Sequence, residues 1–179
     1  MKVVIIRHGK VLYNWTGWCT SDAFDKSNME YDRAPIENKS YKVPDMDYRA
    51  VYISSLPRSR GTAVNIFGGS DFRQTGWIDE VPLKSGFDTK VKLPLWFWNS
   101  LGRIQWFLNC PRQEEGRTET MKRARRFVEK LCAEGADSAV VTHGFFMHTL
   151  LRELKRKDFR TDKLRIAYKN GEYVIAERH

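Results

Sequence analysis

Two apolar runs in this chain end in the same way, and that repetition limits the folds open to it. Val3-Val4-Ile5-Ile6 leads into Arg7-His8-Gly9, and Ser138-Ala139-Val140-Val141-Thr142 leads into His143-Gly144. A short, unbroken run rich in β-branched residues reads as a buried strand. The glycine after each histidine lets the backbone turn sharply. In an open α/β sheet, ligands bind outside the carboxyl ends of the strands. Cationic and titratable side chains at two such ends point to a site for an anion. A strand that merely finishes in polar residues is the plainer alternative, and the rest of the chain decides between them.

Ala50-Val51-Tyr52-Ile53-Ser54 reads as another short strand, and Arg58 to Phe67 then has helical spacing with Ala63, Ile66 and Phe67 as its apolar members. Gly68-Gly69 makes a stop for that helix. Arg58 opens it, where free N–H groups and the helix dipole favour an anion. Phe72 to Leu83 holds a short strand and the acidic pair Asp79-Glu80, with Pro82 and Gly86 marking loop beyond. Leu93 to Leu108 contains Trp96, Phe97, Trp98, Trp106 and Phe107 and predicts one amphipathic helix, or two parted near Gly102. An aromatic stripe of this kind is more often core or pocket wall than a nucleotide-stacking platform. Arg117 to Cys132 predicts a helix capped by Thr118 or Thr120 with Gly135 near its stop, and Phe145 to Leu154 predicts another. Lys163 to Tyr168 and Glu172 to Ala176 flank Asn170-Gly171, a pair suited to a hairpin turn. Residues 9–43 carry few periodic signals and read as a long loop with at most short helical turns. Asn14, near its start, can reach back to the end of the first strand. Strands alternating with helices predict a single domain over 1–179. The expected fold is an α/β three-layer sandwich, with a mostly parallel central sheet flanked by helices and an antiparallel hairpin at one edge.

Composition narrows the partners. No apolar run approaches the roughly 20 residues that span a bilayer. The first residues also lack the apolar core of a signal peptide, so a cytoplasmic location is expected. Cys19, Cys110 and Cys132 are too widely spaced for a zinc or redox pair, and no ligand cluster suggests a metal or a cofactor. A formal charge of +9 favours anionic partners. Lys122, Arg123, Arg125 and Arg126, then Arg152, Lys155, Arg156 and Lys157, read more readily as solvated helix faces than as a docking surface. With no recognised nucleic-acid module, a nucleic acid is not the expected partner.

If the strands are parallel neighbours, Arg7, His8, Arg58 and His143 converge at one edge of the sheet. Two arginines bind a phosphoryl group through forked hydrogen bonds. Of two histidines on that group, one can attack and one can donate a hydrogen bond, while Glu80 or Asp79 supplies the proton a leaving oxygen needs.

The sequence here resembles the histidine phosphatase superfamily, the phosphoglycerate mutase-like family. The resemblance rests on Arg7-His8-Gly9, on Ser54-Ser55-Leu56-Pro57-Arg58-Ser59-Arg60-Gly61-Thr62-Ala63, and on Thr142-His143-Gly144, each after a strand, and it spans Lys2 to Tyr173. It implies a phosphoglycerate mutase-like fold and a phosphohistidine intermediate on His8. Arg7 and Arg58 would bind the phosphate, His143 would stabilise the transferring group, Glu80 would be the acid/base carboxylate, and Asn14 would complete the pocket. The activity so implied is metal-independent hydrolysis of a phosphate monoester or a phosphorylated protein. The alternatives are a mutase-type phosphotransferase and a non-catalytic phosphate-binding member. Lys10 stands where the family commonly has Glu, Gln or Thr, and either attracts a polyanionic substrate or points to solvent. Gly61 replaces a common glutamine. No helix is visible between Pro35 and Arg49, so that element is expected to be shortened or irregular. These departures mark a short, divergent member.

Overall fold

The computed structural model of the chain describes residues 1–69, 71–162 and 169–178. Its centre is a six-stranded sheet built on the apolar runs. β1 (Lys2–Arg7) pairs in parallel with the late strand Ser138–Thr142, which in turn pairs in parallel with Ala50–Ile53. Numbered along the chain, the strands are β1, β2 (Trp18–Cys19), β3 (Ala50–Ile53), β4 (Arg73–Gln74), β5 (Leu93–Pro94), β6 (Ser138–Thr142), β7 (Arg160–Thr161) and β8 (Tyr173–Glu177). The order across the main sheet is β4-β3-β6-β1-β8-β7, parallel from β4 to β1 and antiparallel at β8 and β7. This is the expected α/β sandwich with its antiparallel edge. The first arm of the predicted hairpin, 163–168, lies outside the described residues.

Burial follows the alternation of side chains along a strand. Val3, Ile5 and Val140 enter a large core with residues of α4 (Arg117–Glu134) and α5 (Gly144–Lys155), whereas Val4, Ile6 and Val141 pack on the other face with Ala63 of α2 (Pro57–Phe67). All four residues Val3 to Ile6 are fully buried, which is why the run is apolar at every position. Gly68 and Gly135, with φ of 67° and 62°, end α2 and α4 in the left-handed conformation that glycine adopts without strain. The α4 start is not the threonine cap expected. Gly116 holds the cap position, Asn109 Oδ1 accepts from the Thr118 N–H at 2.8 Å, and the Thr120 hydroxyl donates back to the Gly116 carbonyl at 3.1 Å.

The largest departure lies in residues 9–43, where the structure has a 13-residue helix, α1 (Ser21–Arg33). Only Ser21 and Phe24 of this helix are buried, so it carries no apolar stripe to announce it. Its order comes from outside: the Thr20 hydroxyl oxygen accepts from the Ala23 N–H, and Phe24 stacks on Trp98 at 5.8 Å between centroids. Trp98 belongs to α3 (Leu95–Phe107), one unbroken helix. Gly102 does not part it; a Cβ there would lie 2.6 Å from Leu83 Cδ1, so the glycine serves close packing. With the small β2–β5 pair, α1 and α3 form a second layer over the carboxyl ends of the main strands. Residues 34–49 are irregular apart from one isolated bridge, Val11 to Ile36, as the missing helical pattern implied. No helix among the described residues is long and apolar enough to cross a membrane.

Candidate active site

The parallel register decides what meets at the sheet edge. Arg7 is opposite Thr142, and the His8 N–H extends the ladder by donating to the Thr142 carbonyl at 2.9 Å. The two strand-end histidines therefore become neighbours, their ring centroids 5.1 Å apart and tilted by 52°. Of the two, His8 borders a cavity of about 730 Å³ whose wall also includes Arg7, Arg58, Asp79 and Glu80.

His8 is 2% exposed, and its Nδ1 lies 2.7 Å from the Gly9 carbonyl oxygen. A carbonyl only accepts, so Nδ1 carries the proton and Nε2 carries the lone pair. Nε2 has no hydrogen-bond partner among the described residues. Burial above all, then the positive charges of Arg58 and Arg7, lowers the His8 pKa to about 3, against the opposing pull of the Gly9 bond. The imidazole is thus neutral at physiological pH, with a free nucleophilic nitrogen. Gly9 is fixed in turn by its N–H on Thr62 Oγ1 at 2.8 Å, a hydroxyl anchored on the Arg58 carbonyl.

Arg58 is the second residue of α2, after Pro57, and is itself 2% exposed. Its Nε donates to His143 Nδ1 at 3.1 Å and its Nη1 to Asp32 Oδ1 at 2.7 Å. Because His143 Nδ1 accepts, His143 Nε2 carries the proton and donates to Ser54 Oγ at 2.7 Å. Burial, then the neighbouring His8 and Arg58, pushes the His143 pKa well below the usual histidine value. His143 stands behind Arg58, both ring nitrogens engaged, and does not line the cavity. Arg7 does line it. Its guanidinium passes over Gly144, where a Cβ would sit 3.0 Å from Arg7 Nε, so the glycine after His143 is what lets the arginine lie there.

Both acidic candidates reach the wall, each tied to backbone. Glu80 accepts from the N–H groups of Phe145 (3.2 Å) and Phe146 (2.9 Å), which caps the start of α5, and from its own neighbour Val81 at 2.9 Å. Asp79 accepts from the Ser55 N–H at 2.7 Å and from the Ser55 hydroxyl. Asn14 is exposed and lies outside the cavity lining; the adjacent Trp15 occupies the wall instead. Lys10 is likewise exposed and outside it, in line with the solvent-facing alternative.

Several wall residues had no signal in the sequence. Asp32, Tyr31 and Asn28 come from α1, whose cavity face is polar and so escapes an apolar-periodicity search. Arg123, expected on a solvated face, instead turns inward. It pairs with Glu115 at 2.8 Å and donates to the carbonyls of Trp77 and Asp79. Arg103 of α3 lies 3.7 Å over the Phe145 ring, and burial pushes its pKa down. Among the described residues, no group of three or more His, Cys, Asp or Glu is placed to hold a metal ion. A neutral imidazole with a free lone pair, beside two guanidinium groups, can attack a phosphoryl group and hold its charge.

Comparison with known proteins bears on this geometry. A family model described as the histidine phosphatase superfamily, branch 1, matches residues 3–179. No curated protein matches the sequence. Solved structures with a similar fold include a putative alpha-ribazole-5'-P phosphatase from Escherichia coli K-12, 18% identical, at a TM-score of 0.59 over 86% of this chain and 79% of that one. A phosphoserine phosphatase mutant from Entamoeba histolytica, in complex with phosphoserine, is 16% identical, with a TM-score of 0.55 over 97% and 89%. A mycobacterial glucosyl-3-phosphoglycerate phosphatase is 17% identical, with a TM-score of 0.51 over 87% and 79%. At these identities the likeness is one of fold.

Proposed function

The chain belongs to the histidine phosphatase superfamily, branch 1, and from that premise we propose that it is a metal-independent phosphatase acting through a phosphohistidine on His8. The observation that carries the reading is His8 itself: neutral, its Nδ1 committed to Gly9, its Nε2 without a partner among the described residues, and Arg7 and Arg58 on the same cavity wall. In the first step, the Nε2 lone pair forms a bond to phosphorus as the bond to the ester oxygen breaks. The departing oxygen takes a proton from the Glu80 carboxyl. In the second, a water oxygen attacks the same phosphorus, the Glu80 carboxylate takes its proton, and the N–P bond breaks to release phosphate. The two guanidinium groups hold the charge spread over the phosphoryl oxygens, and being fixed in advance they need no reorganisation. His143 acts by orienting Arg58 through the 3.1 Å bond. Similar structures bear the names of phosphatases for unlike small molecules, which supports a phosphorylated small molecule as substrate without naming it.

The test is hydrolysis of p-nitrophenyl phosphate in the presence of a chelator, with inhibition by vanadate. Activity, and an acid-labile phosphoryl label on the protein, should both disappear in His8→Ala. A His8→Ala protein that keeps full activity refutes the reading. Phosphoryl exchange on 3-phosphoglycerate with a bisphosphate primer, faster than hydrolysis, would instead mark a mutase.

A further inference from the structure

α1 lines the cavity with Asp25, Asn28, Met29, Tyr31 and Asp32, and the spacing of 25, 28, 29 and 32 gathers those four on one side of two helical turns. A carboxylate stands at each end. Asp25 is committed to the N–H and hydroxyl of Ser85, at 2.6 and 2.9 Å. Asp32 reaches Arg58 Nη1 with Oδ1, while its Oδ2 has no hydrogen-bond partner among the described residues and its side chain is 48% exposed. The whole cavity is lined by five cationic and six acidic side chains, in a chain of formal charge +9. The positive surplus therefore lies elsewhere, and the wall is not the basic surface that suits a polyanion. Of the cations other than Arg7 and Arg58, Arg123 is paired with Glu115, and Arg103 has Glu80 and Glu115 as charged neighbours.

Resting on the phosphatase reading above, we propose that the substrate is a phosphomonoester whose alcohol portion carries an ammonium close to the ester oxygen, and that Asp32 selects it. A phosphoryl oxygen held by Arg58 and the Asp32 carboxylate share one guanidinium, each roughly 3 Å from one of its nitrogens, and so lie within about 8 Å of each other. A monoester with only negative charge meets Asp32 as repulsion. An ammonium two carbons from the ester oxygen spans that gap and gives Asp32 Oδ2 a partner while Oδ1 stays on Arg58. A carboxylate or second phosphate at the same place faces Asp32 with like charge, and selectivity of this kind comes from the repulsion as much as from the attraction. The rival role, a carboxylate that any phosphate displaces from Arg58, would weaken all monoesters alike.

Three monoesters on one two-carbon frame separate these roles: 2-aminoethyl phosphate, 2-hydroxyethyl phosphate and phosphoglycolate. Their dissociation constants are measured by calorimetry on the full chain carrying His8→Ala, so no turnover is needed. The expected order is amine, alcohol, carboxylate, with about tenfold weaker binding at each step. Adding Asp32→Asn should compress the whole range to less than about threefold. A range that narrow before Asp32 is changed, no detectable binding of the amine, or an Asp32→Asn shift equal for all three overturns the proposal. Failure of the phosphatase reading shows separately, as absence of turnover by the unsubstituted chain.

Discussion

Replacing His8 with asparagine and following stability against pH tests the electrostatics of the site. Asparagine keeps an N–H donor for the Gly9 carbonyl but has nothing to protonate. In the native chain, burial and then Arg58 lower the His8 pKa from 6.5 to about 3. Above pH 6.5 the imidazole is neutral in both folded and unfolded chains and contributes no pH dependence. Below it the unfolded chain binds a proton that the folded chain refuses, so stability falls by about 1.4 kcal/mol per pH unit until the folded value is reached. Relative to neutral pH, the loss that His8 alone causes is about 1.3 kcal/mol near pH 5.5 and about 2.6 kcal/mol near pH 4.5. The second figure hardly changes if the folded value lies a unit higher. No discount for solvent screening applies, because His8 is 2% exposed. Urea titrations read by tryptophan fluorescence should show the stability difference between the native chain and His8→Asn shrinking, or reversing, by these amounts as pH falls. The part of the His143 contribution that comes from burial and Arg58 is present in both proteins and cancels, while the part that comes from His8 is lost with it. A difference constant to within about 0.5 kcal/mol between pH 7.5 and 4.5 would mean that folded His8 protonates near its ordinary pKa, and the neutral nucleophile would be refuted.

Two further substitutions probe the neighbours. Glu80→Gln keeps one acceptor oxygen for the Phe146 N–H, sets an NH2 against the Phe145 N–H and loses the transferable proton, so kcat for an alkyl phosphate should fall about 10²- to 10⁴-fold with a modest drop in melting temperature. An equal loss in Asp79→Asn, with Glu80→Gln unaffected, would transfer the role to Asp79. Gly144→Ala puts a methyl group 3.0 Å from Arg7 Nε and should displace that guanidinium, raising the vanadate inhibition constant about tenfold; unchanged inhibition would show that Arg7 does not need that passage.

The strands and the convergence of Arg7, His8 and Arg58 were legible because they are written locally. A fully buried strand must be apolar at every residue, and its end is marked by the first side chain that is not. The carboxylates at 79 and 80 were legible as a pair but not as roles, since only the fold shows one capping α5 and the other held by Ser55. Proximity to the first strand and the family resemblance both put Asn14 at the pocket, but Asn14 lies outside the cavity lining and Trp15 holds that wall.

Residue order alone thus pointed to the mostly parallel core and to two histidines at strand ends, and the parallel pairing of β1 with β6 made those ends adjacent. The tertiary structure decided the rest of the cavity. α1 has one buried aromatic residue, Phe24, and its partner in the stack, Trp98, comes from a distant part of the chain. The side of α1 that faces the cavity carries Asp25, Asn28 and Asp32 with only Met29 and Tyr31 beside them, and such a face gives no periodic hydrophobic signal. Whether His8 is neutral, and whether Arg58 meets a phosphoryl group alone or with Asp32 beside it, depends on burial and on charges brought together from distant parts of the chain. No local pattern encodes those distances.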